Sequence, residues 1–151
     1  MNIAPFEYRD MDSFVPGPFD AIRSPEVLTA AKNIWPGKAI TVRDNDKTLA
    51  IVGIAKCGDC GHCWAYLSDE IRQRAMFLHR HVKRLLPVVS DEQGFKRLRA
   101  EVHRDFDAGH RWVERLGFNP IGISKATTGI SGRNRAKLMH DRTYIEYEKW
   151  L

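Results

Sequence analysis

Apolar and polar positions change their period along the chain, and each change marks the start or end of an element. Ala39-Ile40-Thr41-Val42 and the run from Thr48 to Ala55 are rich in β-formers, and the turn-forming Asp44-Asn45-Asp46-Lys47 lies between them. They predict an antiparallel hairpin. After the polar Gly58-Asp59-Cys60-Gly61, a short strand is predicted at Cys63-Trp64-Ala65-Tyr66-Leu67. Ser68-Asp69-Glu70 then opens a helical period, with Ile71, Ala75, Leu78, Val82 and Leu85 on one stripe. This predicts the longest helix, stopped by Pro87.

Further on, Leu98, Ala100 and Val102 alternate with Arg99, Glu101 and His103, which predicts a strand buried on one face and leaves His103 on the exposed one. A helix starting near Asp105 or Asp107 carries Val113 and Leu116 inward and ends at Gly117, ahead of the apolar Phe118. Two last strands are predicted around Pro120–Ile123 and Thr143–Glu148, with a basic loop, Gly129 to Lys137, between them. Near the start, Ser24-Pro25-Glu26 supplies a cap, a first-turn proline and an acid for a helix to about Trp35, where Pro36-Gly37 ends it. Strands and helices mix without strict alternation, so the fold class is α+β rather than a doubly wound sheet.

A length of 151 residues suits one domain across residues 1–151 and one main site. With 43% apolar and 28% charged residues the composition is that of a globular protein, and no apolar run approaches a membrane span. The first residues, Met1 to Pro5, lack the layout of a secretory signal, so a cytoplasmic location without membrane attachment is expected. The net charge of +5 is unevenly placed: Ile71 to Arg104 carries nine basic residues against three acids. A phosphate-bearing ligand accounts for such a cluster, and so does a solvated helix face. Nucleic acid is not expected as a partner, since no finger, helix-turn-helix or aromatic-bearing sheet motif accompanies the charge.

Cys57-Gly58-Asp59-Cys60-Gly61-His62-Cys63 spaces three cysteines as in a zinc knuckle, with His62, His79 or His81 able to complete the set. No second half of such a motif follows, and Gly58, Asp59 and Gly61 are what a hairpin turn requires. No metal ligand is assigned.

The order of an early strand, a helix, a hairpin, a strand feeding a long helix, a strand feeding a shorter helix and a final strand pair resembles the GNAT N-acetyltransferase fold over nearly the whole chain. His110 to Phe118 resembles the family's late helix, with Leu116-Gly117-Phe118 matching its closing turn, and Gly53 matches a glycine on the third strand. Trp64 to Ile71, with Arg111-Trp112, is also similar to small acetyltransferase-like proteins of short-tailed phages, for which the location implied is the host cytoplasm. The resemblance implies a mixed, mostly antiparallel sheet flanked by helices, with a splay between the fourth and fifth strands. It implies acetyl-CoA as cofactor, its pantetheine arm in the splay beside Tyr66, Leu67, Ser68 and Phe106, and its pyrophosphate at the helix terminus near Arg72, Gln73, Arg74 and Ala75. Tyr66 is the candidate acid. Glu70 is the candidate base, with Asp69 and His103 beside it in this role. The acceptor implied is an amine, either of a small molecule or of a protein lysine or N-terminus.

The sequence departs from that family at several of these places. Ile71 to Met76 has no glycine where the family's phosphate loop has them, and Asp69 and Glu70 put carboxylates where a diphosphate would sit, a placement that helix capping also explains. Val113 and Phe106 stand where many members have a tyrosine and an asparagine, and neither can donate a proton. These departures keep open a second reading, a catalytically weak or inactive module that binds a partner protein.

Overall fold

The computed structural model describes residues 1–18, 37–125 and 143–151. The helix expected from Ser24 and the basic loop expected from Gly129 lie outside the described residues. Among these residues seven strands form one sheet: β1 Asn2–Pro5, β2 Gly37–Asp44, β3 Lys47–Cys57, β4 Cys60–Leu67, β5 Arg97–His103, β6 Asn119–Lys125 and β7 Thr143–Trp150. Their order is β1-β2-β3-β4-β5-β7-β6, and every neighbouring pair is antiparallel except β4 with β5. Among the described residues the helices are α1 Asp69–Arg72, α2 Ala75–Gln93 and α3 Asp107–Arg115. Among the described residues no helix is long and apolar enough to cross a membrane.

The two hairpins follow from residues that tolerate a left-handed backbone. Asn45, at φ 54°, turns β2 into β3, and Gly58, at φ 61°, turns β3 into β4. Because the second turn is tight, β4 begins at Cys60 rather than at Cys63, and Cys57 faces Cys60 across the ladder. Alternation then puts Ala50, Val52 and Ile54 of β3 on one face, where α2 and α3 cover them. Two apolar clusters result, one around Leu98, Leu116 and Phe118 and one around Val42, Leu49 and Ile71. Val82 and Trp112 pack against both. The closing turn after α3 forms as expected, with Gly117 at φ 91° and Phe118 buried behind it.

Two expectations fail around the long helix. It is not one helix from Ser68. Ser68 caps the single turn of α1, accepting from the Ile71 N–H, and the chain breaks at Gln73-Arg74 before α2 starts at Ala75. Nor does Pro87 stop it, since α2 runs on to Gln93 and ends at Gly94, φ 70°. Proline removes the bond to the Lys83 carbonyl, but Lys83 and Pro87 lie on the exposed side, where water can replace that bond. Leu86 and Ser90 on the other side stay buried and hold the helix to the sheet. His103 is the third correction: it is buried instead of exposed, its ring edge-on to Tyr144 at 5.5 Å, its Nδ1 accepting from the Asp105 N–H.

One polar residue is fully committed to architecture. Asp10, 3% exposed, lies in a short 3-10 turn and accepts from the Glu7 N–H, from Thr41 Oγ1 at 2.7 Å and from Arg43 Nε at 2.8 Å, which ties the N-terminal turn to β2. Burial alone would raise its pKa, but these bonds and the Arg43 charge outweigh it and hold the carboxyl below its ordinary value. A depressed carboxylate stabilises the fold above its unfolded pKa of about 3.9 and loses that stability as pH falls towards the lower folded value. Asp10→Asn should therefore cost about 1–3 kcal/mol at neutral pH, and that deficit should shrink below about pH 3.9. Urea unfolding of both proteins across pH checks this; a deficit that does not change with pH contradicts it.

Candidate active site at the strand splay

β4 and β5 pair in parallel from Cys60↔Arg97 to Cys63↔Ala100, and the ladder stops there although β4 continues to Leu67 and β5 to His103. Each strand stays with its other neighbour. β4 keeps β3 as far as Ala50↔Leu67, and β5 keeps β7 as far as His103↔Tyr144. The end of β4 is held further by the Gly17 N–H on the Leu67 carbonyl and the Ser68 N–H on the Leu49 carbonyl. The result is a gap between two anchored strands.

A cavity of about 200 Å³ opens at this gap. Its lining is mostly apolar on the helix side, where Cys63, Ala65, Leu67, Val102 and Phe106 meet α2 and α3. Trp64, Glu101, His103 and Tyr144 line it from the opposite face of the sheet. Residues of both faces line it at the level where the ladder ends.

The residues expected around a ligand are distributed unevenly. Leu67 and Phe106 line the cavity, and the Arg72 guanidinium lies 5.5 Å from the centre of the Phe106 ring. Ser68 is a buried cap. Gln73, Arg74 and Ala75 are exposed at the helix break, with Arg74 drawn to Asp44 at 2.7 Å. Tyr66 is buried beside the cavity rather than in its lining, opposite Ile51, with its ring 5.4 Å from that of Trp64. Glu70 is not in the lining and pairs with Lys47 at the end of the hairpin.

The break after α1 reverses one expectation. Asp69 and Glu70 belong to α1, where Arg72 and Lys47 answer them, and the first turn of α2 holds no acid. Phe77 and Leu78 donate to the Arg74 carbonyl, whereas the N–H groups of Ala75 and Met76 make no backbone bond among the described residues. The 19-residue helix thus presents a donor-rich, positively polarised end.

Val113, on α3, is buried and lines the cavity, so that wall is apolar where a donor was looked for. Burial pushes the Cys63 thiol up to about 12, with Cys60 nearby adding to the shift, which keeps it a neutral wall residue. Among the described residues no three side chains of His, Cys, Asp or Glu converge as a metal site would require.

Over 99% of its length the chain superposes on 99% of an acetyltransferase of the GNAT family from Streptococcus pneumoniae, with TM-score 0.67 and 12% identity. The fold is that of the GNAT acetyltransferases. A Bacillus subtilis acetyltransferase in complex with CoA matches this GNAT fold over 99% of the chain and 97% of its own, at TM-score 0.69 and 11% identity. The ribosomal-protein-S18-alanine N-acetyltransferase from Escherichia coli matches it over 97% and 91%, at 0.66 and 15%. At such identities the likeness is one of fold. No protein-family model and no curated protein matches the sequence.

Gly53 shows how tightly this GNAT-fold site is built. A Cβ there would sit inside the contact radius of the Trp64 ring and 3.0 Å from the Lys38 carbonyl oxygen, so only glycine lets the indole lie against β3. Gly53→Ala should displace Trp64, lowering stability by about 1–3 kcal/mol and shifting tryptophan emission. Unchanged melting and emission would contradict this packing.

Proposed function

We propose that this protein binds acetyl-CoA in the gap between β4 and β5 and transfers the acetyl group to an amine by direct attack. The observation that carries the reading is the end of the β4–β5 ladder at Cys63 and Ala100, next to a helix whose first N–H groups make no backbone bond among the described residues and whose first turn is free of acid. The residues present suit the ligand. The cavity admits a narrow, mostly apolar chain, and Ala75 and Met76 offer backbone donors to a diphosphate. Arg72, held over Phe106, adds charge near the path between them. Direct donors at the helix end make up for the missing glycines, because Ala75 and Met76 are exposed.

When bound, acetyl-CoA supplies an acetyl thioester open to attack by nitrogen. Beyond Cys63 the edge of β4 turns its backbone groups towards the gap instead of β5, where donors can polarise a carbonyl. Glu101 lines the same gap from β5, whereas Glu70 is occupied by Lys47, so the proton released at the attacking nitrogen passes to Glu101. The sulfur departs with the bonding pair of the broken carbon–sulfur bond. A thiol has a pKa of about 8.5, so its thiolate leaves without an acid on α3, and the apolar Val113 is no obstacle. The acceptor amine comes from a small molecule or a protein.

A test that separates binding from folding uses Ala75→Glu. A carboxylate in the first turn of α2 complements the helix dipole, so the variant should be as stable as the parent or more so by about 0.3–1 kcal/mol, yet bind acetyl-CoA at least tenfold more weakly by calorimetric titration. Unchanged affinity would remove the diphosphate from this helix end. If the intact protein fails to bind acetyl-CoA at all, the reading as a partner-binding module takes its place.

A further inference from the structure

The segment from Cys57 to Cys63 carries chemistry that the transferase reading does not use. Its spacing is that of a metal knuckle, yet the sheet divides it. Cys57 ends β3, Cys60 begins β4, and the two are register partners across the turn of Gly58 and Asp59. Residues paired directly across a ladder share a face of the sheet. Cys63 lies three positions beyond Cys60 on the same strand, so it belongs to the other face, packed in the core under the helices. Three evenly spaced thiols thus become one facing pair and one outlier.

The pair meets what a disulfide requires. Residues that flank a two-residue hairpin turn form a hydrogen-bonded pair with Cα atoms about 5.5 Å apart, inside the range a disulfide spans without moving the backbone. The turn is fixed at both of its residues: Gly58 takes the left-handed conformation at φ 61°, and the Lys96 N–H donates to the Asp59 carbonyl at 2.8 Å, joining the turn to β5. Access to the two thiols is unequal. Cys57 is exposed, and a Cβ on the neighbouring Gly58 would meet nothing within 4 Å, whereas Cys60 is 7% exposed. Burial raises the pKa of Cys60, and the charges of Arg97 and Arg99 offset part of that by favouring its thiolate. A thiol of higher pKa is the stronger nucleophile once ionised.

We propose that Cys57 and Cys60 are a site of reversible oxidation by low-molecular-weight disulfides, closing a ring at the tip of the β3–β4 hairpin. The exposed Cys57 thiolate attacks one sulfur of a disulfide such as oxidised glutathione, forming a mixed disulfide and releasing one thiol. Cys60 then attacks the Cys57 sulfur, and the second thiol leaves. The two protein thiols lose two protons and two electrons, which the oxidant gains in becoming two thiols. Reduced glutathione runs the same steps backwards, the behaviour a reducing compartment permits. The site is independent of acetyl-CoA, because the tip lies where the β4–β5 ladder starts, at Cys60↔Arg97, and not where it opens.

Incubation of the intact protein with oxidised glutathione tests this. Thiols still free are blocked with iodoacetamide, the bonds formed are reduced, and the thiols released are labelled with N-ethylmaleimide. Cleavage after Lys56 and Arg72 leaves all three cysteines on one peptide, and its fragmentation in a mass spectrometer reads the label on each. Cys57 and Cys60 should carry N-ethylmaleimide and Cys63 the iodoacetamide label. The count of free thiols should fall from three to one and return to three with reduced glutathione. Cys60→Ser should stop at the intermediate, with one glutathione held on Cys57. Cys57→Ser, a change at an exposed position, should leave a protein that reacts roughly tenfold more slowly than the parent or slower still. A bond that involves Cys63, a bond between two molecules, a glutathione that stays on Cys57 of the parent, or three thiols that remain free would each overturn the assignment.

Discussion

The parallel pairing of β4 with β5 ends because each strand is held more firmly by its outer neighbour than by the other. β4 follows β3 through a tight hairpin that starts at Gly58, and β5 follows β7 along its whole length. What lies between them after Cys63 and Ala100 is a breach in an otherwise continuous sheet. Such a breach exposes backbone groups that a sheet would normally satisfy, and it is tolerable only where side chains or a ligand occupy it. The helices make it deep: α2 and α3 meet over one side of it at Val82 and Trp112.

A separation of charges follows from the same geometry. On the helix side the gap is apolar and leads to a helix terminus whose first donors make no backbone bond among the described residues. On the other side it is lined by Trp64 and by the carboxylate-bearing Glu101. A helix terminus that favours an anion on one side and the Glu101 carboxylate on the other are what the proposed reaction between a phosphorylated donor and an amine would use.

Much of the scaffold was legible in the sequence, because it depends on local rules. The hairpins, the alternating β5 and the Leu116-Gly117-Phe118 turn rest on turn chemistry and period, and their places agree with those rules. The break at Gln73-Arg74 was hidden because the apolar stripe runs unbroken from Ile71 through Leu78, and a stripe reports which face is buried, not which bonds continue. Pro87 misled for a related reason: its cost depends on whether the freed carbonyl reaches water, and that is a property of packing. The site was less legible than the scaffold. Leu67 and Phe106, named from the resemblance, line the gap and Arg72 lies over Phe106, but the juxtaposition of Trp64 and Glu101 across it is a fact of register among distant segments, and nothing in the local pattern of either strand announces it.

The claim on which the account depends is that the gap between β4 and β5 is where acetyl-CoA lies. Backbone amide shifts recorded by NMR with and without acetyl-CoA address it directly. The account predicts that residues of β4 after Cys63, of β5 after Ala100, and Ala75 and Met76 at the start of α2 move together as one saturating site. Shifts confined to β1 and β2, or none at saturating ligand, would contradict it.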